Sequence, residues 1–124
     1  MTWKLTALVG LGGALGAISR AWAHQLCKTY LPWDCSPWDF LAINVLGSFA
    51  IGVVLGWQSD HFSTEVRLFI GTGFCGAFTT FSTFSHQTLE LFAKGKTSVA
   101  LANIAASILL CLAGTWAGIH LVHR

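Results

Sequence analysis

The chain has 124 residues, of which 54% are hydrophobic and only 10% are charged. Soluble domains carry about 25% charged residues, so this composition excludes a globule covered by water. The formal net charge of +2 provides no strongly basic surface, and we expect no nucleic-acid partner. The composition is typical of an all-α membrane protein whose surroundings are the lipid bilayer.

Four apolar segments are long enough to cross about 30 Å of hydrocarbon as helices. The predicted spans are, approximately, residues 5–25, 38–58, 66–92 and 98–121. Short polar segments separate them, and together the spans predict a single membrane domain covering residues 1–124.

The first segment has some features of a cleaved signal peptide. Lys4 precedes an apolar stretch, and the small residues Ala21 and Ala23 flank a possible cleavage site. Arg20 stands just before that site, and glycines dilute the apolar core. These features favour a span that is retained in the mature protein.

Small residues recur four apart on the first two spans. Gly12 and Gly16 form one such pair, and Gly52 and Gly56 form the other. This spacing lets helix backbones approach closely, which is how helices associate in lipid. The pairs serve either packing within one chain or association with a second copy.

Polar residues inside a membrane are costly, so their positions on the second and fourth spans are informative. Asn44 lies on the second span, and the fourth span carries Asn103, Ser107, Cys111 and Thr115 at intervals of four, on one helical face. This face is either a polar track or a set of hydroxyls bonded to their own helix backbone. No carboxylate is expected near the membrane midplane, which disfavours a proton-coupled transporter. No motif indicates an enzyme.

The third span is unusual for a membrane helix. Glycines crowd residues 71–76 and Thr79-Thr80 follows, so we predict a break within Gly76–Thr80; a continuous, kinked helix is the alternative. One aromatic stripe consists of Phe74, Phe78, Phe81 and Phe84. The positive edge of an aromatic ring attracts a small anion weakly, and nearby hydroxyls can replace its water. The pattern indicates a passive anion pathway.

The basic residues leave the orientation undecided. One side of the membrane would carry three charges, from Lys4, Arg67 and Arg124. The opposite side would carry three from the later loops (Lys28, Lys94 and Lys96), plus Arg20 if it lies near that interface. Because Lys/Arg asymmetry sets orientation, either partners fix the topology or the chain inserts both ways and pairs antiparallel.

The four cysteines form no CxxC motif. Cys75 and Cys111 lie within predicted spans, where a free thiol behaves as a small hydrophobe. Cys27 and Cys35 share a predicted loop and could form a bridge, although nothing in the sequence requires one.

Three motifs together resemble the Fluc (CrcB) fluoride channels. They are GGALGAISR at 12–20, NVLGSF at 44–49 and GTGFCGAFTTFSTFS at 71–85, in the expected order. The resemblance implies an antiparallel, dual-topology homodimer of four-helix subunits in the bacterial inner (plasma) membrane. Such a dimer lets fluoride leave the cytoplasm passively and so relieves its toxicity.

The resemblance also implies roles for individual residues. The implied fluoride path is lined by Asn44, Phe81, Ser82, Thr83, Phe84 and Thr115. The backbone carbonyls of Gly76 and Thr79 would hold a structural Na⁺ at the dimer interface, and this ion is not transported. Arg20 would be an electrostatic or structural anchor. The chain departs from the family at Gln87, where many relatives carry glutamate, and at Cys111, where a hydroxyl is expected.

Two other hypotheses remain at this stage. A small dual-topology multidrug or guanidinium exporter would share the four spans and the balanced charges, but it would need a glutamate in the first span, which has none. A non-transporting assembly subunit would use its polar stripes only for helix pairing.

Overall fold

The computed structural model describes residues 1–57 and 62–123, and every regular element within them is helical. The helices are α1 (Trp3–Tyr30), α2 (Trp38–Gly56), α3 (Thr64–Val66), a π-helix (Arg67–Cys75), α4 (Gly76–Phe78), α5 (Phe81–Ala93) and α6 (Thr97–Val122). The predicted end of the second span at Gln58 and the positive charge at Arg124 lie outside the described residues.

Three helices of the described chain, α1, α2 and α6, are long and apolar enough to cross a membrane. Large apolar side chains such as Leu15 and Leu109 project outward from these helices and are more than half exposed. Water would penalise so much exposed hydrocarbon, whereas lipid accepts it. The chain is therefore an all-α membrane protein.

Glycines allow the helices to pack closely within the chain. At Gly16 a Cβ atom would overlap the backbone carbonyl of Phe74, and at Gly52 it would overlap that of Thr115. The first contact joins α1 to the π-helix, and the second joins α2 to α6. The small-residue pairs of the first two spans thus serve packing within one chain, which is one of the two roles their spacing allowed.

The third helical region is not one continuous helix. The α3 turn, the π-helix and the α4 turn follow one another without a gap, and the helical backbone ends at Phe78. The N–H of Gly76 donates to the carbonyls of Gly71 and Gly73. Glycine content correctly indicated a weak helix here, but it carries no information on the wider π-helical winding.

Polar contacts join the helix ends. Lys4 Nζ donates to Glu65 Oε1 at 2.7 Å, which ties the start of α1 to α3. At the other end of the bundle, α5 and α6 are connected by a short turn in which Gly95 has a φ of +72°. The N-terminus and residue 65 therefore share one end, and residues 28, 35 and 95 lie towards the other.

Candidate functional site

The most irregular backbone lies between α4 and α5. Thr79 (φ −78°, ψ 154°) and Thr80 (φ −148°, ψ 114°) are both extended. The break predicted within Gly76–Thr80 is therefore confirmed, and it lies at the last two residues of that range. An extended pair removes the helical hydrogen bonds across it, so nearby side chains must satisfy the freed backbone groups.

Asn44 on α2 satisfies the backbone of Thr80. The Thr80 N–H donates to Asn44 Oδ1 at 2.8 Å, and Asn44 Nδ2 donates to the Thr80 carbonyl at 3.3 Å. Both ends of the amide are thus committed to one residue of the break. A primary amide has a second N–H hydrogen, and the adjoining cavity, which Asn44 lines, is within its reach.

Arg20 on α1 bonds the other residue of the break. Its Nη1 donates to the Thr79 carbonyl at 3.3 Å. The guanidinium is always charged in proteins, so it brings a positive charge to the middle of the broken helix. The structure therefore puts Arg20 beside the break, in contact with Thr79, where the sequence suggested only an anchor.

A cluster of hydroxyls surrounds Thr80, which is buried. Its Oγ1 lies 3.2 Å from Ser82 Oγ and 3.1 Å from Thr83 Oγ1, and it accepts from the Thr83 N–H at 3.3 Å. Thr80 is thus the N-cap of α5. Sequence reasoning omitted Thr80 from the site, although a threonine just before a helical stretch is a recognisable capping signal.

Two phenylalanines on the first turn of α5 stand beside this cluster. The ring centroids of Phe81 and Phe84 are 5.4 Å apart, and the ring planes are inclined by 46°. Phe81 is 79% exposed in the single chain, whereas Phe84 is half-buried. Tilted rings present hydrogen-bearing edges as well as faces to the space between them.

The break, including Thr80, and the two rings border one cavity of about 310 Å³. Its lining includes residues of the break and side chains of α2, α5 and α6, among them Asn44, Thr79, Phe81, Phe84, Ser107 and Cys111. Three of the six predicted pathway residues, Asn44, Phe81 and Phe84, line this space, whereas Ser82 and Thr83 do not. Its wall is mainly apolar, with a few polar groups, as in small-ligand sites generally.

Thr115 is not among the residues that line this cavity. Its hydroxyl donates to the Ser48 carbonyl at 3.1 Å, across the contact between α6 and α2. The other polar residues of this α6 face also differ in their surroundings. Asn103 is buried and donates to Thr88 Oγ1 at 3.1 Å. Ser107 and Cys111 line the cavity. A thiol is a poorer donor than a hydroxyl, which favoured Thr115 over Cys111 in the sequence, and periodicity alone could not rank the two positions.

The carbonyls of Gly76 and Thr79 are oxygen ligands of the kind that a Na⁺ site uses. In an uninterrupted helix the Thr80 N–H would bond the Gly76 carbonyl, but here it bonds Asn44 instead. The Thr79 carbonyl keeps one lone pair beyond its contact with Arg20. Freed carbonyls at a broken membrane helix are the groups that coordinate Na⁺ in transport proteins. Two such oxygens are too few for a complete shell, so a second copy would have to supply the rest.

Known proteins match the chain over most of its length. The family described as CrcB-like protein, Camphor Resistance (CrcB), matches residues 7–119. The chain belongs to the CrcB family. A CrcB-family relative from Dehalococcoides mccartyi is 41% identical over 116 residues, covering 92% of this chain and 88% of the relative.

Two further relatives match a similar share of the chain. The protein from Hydrogenovibrio crunogenus is 44% identical over 114 residues, covering 90% of this chain and 85% of the relative. The protein from Campylobacter jejuni is 43% identical over 112 residues, covering 90% of this chain and 91% of the relative. All three relatives carry the name fluoride-specific ion channel FluC. The family resemblance that the three sequence motifs indicated is thereby confirmed.

Proposed function

We propose that this CrcB-family chain is the subunit of a fluoride-selective, passive ion channel that lowers cytoplasmic fluoride. The observation that carries the proposal is the helix break at Thr79–Thr80, which sets two phenylalanine rings and a hydroxyl cluster beside one cavity. The names of the three relatives support the same activity. Conduction of this kind involves no chemical step.

The fluoride path would use ring edges and neutral donors in turn. The edges of Phe81 and Phe84 attract the anion weakly, and Asn44, Ser82 and Thr83 offer N–H or O–H groups that replace its water. None of these groups holds a full positive charge. Binding is therefore favourable enough for entry and weak enough for release, which is what conduction requires.

The surface around the break requires a covering partner, which we infer to be a second copy of the chain. Gly76 and Ser82 are exposed in the single chain, next to unwound backbone. Unwound backbone at membrane depth is tolerated only when protein buries it or when it lines a cavity. A homodimer would cover this surface and close the cavity around the path.

The dimer would be antiparallel, with each chain crossing the membrane four times. The helices α1, α2 and α6 account for three spans, and the fourth would be the broken region that ends in α5. Lys4 and Arg67 lie at one end and Lys28, Lys94 and Lys96 at the other. Because the numbers of Lys and Arg residues at the two ends differ little, they provide little bias in orientation. The chain would therefore insert into the bacterial inner membrane in both orientations.

A structural Na⁺ would lie between the two copies, held by the carbonyls of Gly76 and Thr79 from each. When bound, the ion supplies positive charge that draws the two broken helices together. Arg20, which donates to the same Thr79 carbonyl, would fix that oxygen in position. The ion would stay in place while fluoride moves.

Fluoride efflux from liposomes tests the proposal. Purified protein is reconstituted, and efflux is followed with a fluoride electrode, with chloride as the control anion. We expect fast fluoride efflux, no chloride efflux, and a large loss of fluoride efflux in Phe81→Ile. The matched control is Phe92→Ile, which changes an exposed phenylalanine on α5 away from the cavity. Absence of fluoride efflux from folded wild-type protein would overturn the proposal.

A further inference from the structure

The two cysteines near the 31–37 loop are brought together by the pairing of α1 with the start of α2. His24 Nδ1 on α1 lies 2.5 Å from Asp39 Oδ2 on α2, and Asp39 is buried. The two helices run in opposite directions at this point. Moving three residues forward from His24 reaches Cys27, and moving four residues back from Asp39 reaches Cys35. Both steps are about one turn towards the same end of the molecule.

Backbone hydrogen bonds hold Cys27 and Cys35 near this contact. The Leu31 N–H donates to the Cys27 carbonyl at 3.1 Å, so α1 continues through Cys27. The Asp39 N–H donates to the Cys35 carbonyl at 3.1 Å across the turn that precedes α2, so Cys35 is held close to Asp39. The His24–Asp39 contact and these two hydrogen bonds place the side chains of Cys27 and Cys35 beside each other. Cys27 therefore does not share a loop with Cys35, as the sequence suggested, but faces it from the last turns of α1.

The two thiols differ in access. Cys35 is 4% exposed, and Cys27 is partly exposed. An oxidant can therefore reach Cys27 first, with Cys35 held behind it. A reachable thiol with a second thiol in contact is the arrangement that disulfide formation by exchange needs.

From this geometry, and resting on the proposed antiparallel channel, we propose that Cys27 and Cys35 form an oxidisable pair. The pair closes to a disulfide only in the copy whose 31–37 loop faces the oxidising side of the membrane. In the other copy, whose loop faces the reducing cytoplasm, the pair stays as two thiols. Half of the chains would carry the bridge.

The oxidant is a disulfide, either a small molecule or the active site of a thiol–disulfide oxidoreductase. The Cys27 thiolate attacks one sulfur of that disulfide, forms a mixed disulfide and releases one thiolate. The Cys35 thiol then loses its proton and attacks the Cys27 sulfur, which releases the second thiolate. Two electrons pass to the oxidant, and the two protons end on the two thiols that it becomes.

The bridge would act on the outer half of α5 through the loop. Gln87 Nε2 on α5 donates to Ser36 Oγ at 3.0 Å, and Ser36 is next to Cys35. A covalent link between Cys27 and Cys35 therefore joins α1, the loop and α5 into one unit. Two chains of identical sequence would then differ chemically across the dimer, with the braced α5 on the oxidising side.

The first experiment measures whether the pair can close. The reduced, purified dimer is incubated with oxidised glutathione, and the disulfide is mapped by mass spectrometry of proteolytic peptides. We expect the Cys27–Cys35 bridge to form in wild type and in the double variant Cys75→Ser/Cys111→Ser. Cys35→Ser should gain a glutathione adduct on the partly exposed Cys27 instead of the bridge, whereas Cys27→Ser should gain neither the bridge nor an adduct on the buried Cys35. Glutathione adducts on both cysteines of the wild type, with no bridge, would overturn the proposal.

The second experiment measures which chains carry the bridge in cells. Cultures expressing Cys75→Ser/Cys111→Ser are quenched in acid, free thiols are alkylated, and the bridged fraction is read from the mass of the intact chain. A bridged fraction near one half supports the proposal, while a value near zero or near one contradicts it. Fluoride efflux from reconstituted wild-type protein, measured separately, distinguishes the two hypotheses. Efflux without a bridge removes only this inference, whereas a half-bridged population without efflux removes only fluoride conduction.

Discussion

Asn44 and Thr80 are joined by a reciprocal pair of hydrogen bonds that lets a membrane helix break without leaving the Thr80 backbone unpaired. The side-chain amide accepts from the Thr80 N–H at 2.8 Å and donates to the Thr80 carbonyl at 3.3 Å. The amide pairs with the N–H and the carbonyl of Thr80, as the backbone of a neighbouring strand would in a β-sheet. One side chain of α2 therefore stabilises the extended backbone just before α5.

Replacing Asn44 by alanine should lower both stability and fluoride efflux. The buried Thr80 N–H and carbonyl would lose their partners, at about 1–3 kcal/mol for each unsatisfied group. Asn44→Asp should behave differently, because the carboxylate still accepts from Thr80 N–H but brings a negative charge to the anion path. We expect it to fold more stably than Asn44→Ala and still conduct poorly. Thermal unfolding in detergent and efflux measurements test both; wild-type efflux in Asn44→Asp would contradict the assigned role.

The sequence predicted the elements of this site better than their geometry. Helix-weakening glycines and threonines indicated the break, and the aromatic spacing put Phe81 and Phe84 together. The sequence could not reveal that Asn44 bonds Thr80, because that contact joins residues 36 apart through tertiary packing. For the same reason, a spacing of four on α6 predicted a common face but not that Thr115 would turn to Ser48.

Gly16→Ala should destabilise the protein far more than Gly10→Ala. A Cβ at Gly16 would overlap the Phe74 carbonyl, which is backbone and cannot move aside, whereas a Cβ at Gly10 meets nothing within 4 Å. Overpacking of this kind costs about 1–3 kcal/mol, while alanine in an open helical position gains up to ~1 kcal/mol over glycine. Melting temperatures of the two variants should therefore move in opposite directions from wild type. Equal shifts would mean that α1 does not pack against the π-helix as described.

The contact between Lys4 and Glu65 should make stability depend on pH in acid. The hydrogen bond from Lys4, followed by that from Ser63, holds the pKa of the Glu65 carboxyl below its ordinary value of 4.5. Since the folded-state pKa is the lower one, the ionised carboxylate stabilises the fold above 4.5, and this contribution is lost as pH falls through the folded value.

Glu65→Gln should therefore show a smaller loss of melting temperature than wild type between about pH 6 and pH 3. The effect should be small, because both side chains are well exposed. Glu90→Gln, which changes another exposed carboxylate, serves as the control and should retain the wild-type loss. An identical pH response in Glu65→Gln and wild type would show that the contact contributes nothing to folding.

In the proposed dimer, Arg20 and the Na⁺ ion would both interact with the Thr79 carbonyl, so removing Arg20 should change how stability depends on Na⁺. Exchanging Na⁺ for a bulky organic cation should lower the melting temperature of the dimer, because the carbonyls of Gly76 and Thr79 would lose the ion between the copies. Arg20 donates to the same Thr79 oxygen and brings a positive charge to it. Arg20→Gln should therefore need less Na⁺ for half-maximal protection, by about tenfold if ~1.4 kcal/mol of repulsion is relieved.

Arg67→Gln is the matched control, since that guanidinium bonds the Trp57 carbonyl at the opposite end of the region. If wild type and Arg20→Gln respond alike to Na⁺ while Na⁺ still protects both, the ion binds somewhere other than the Thr79 carbonyl.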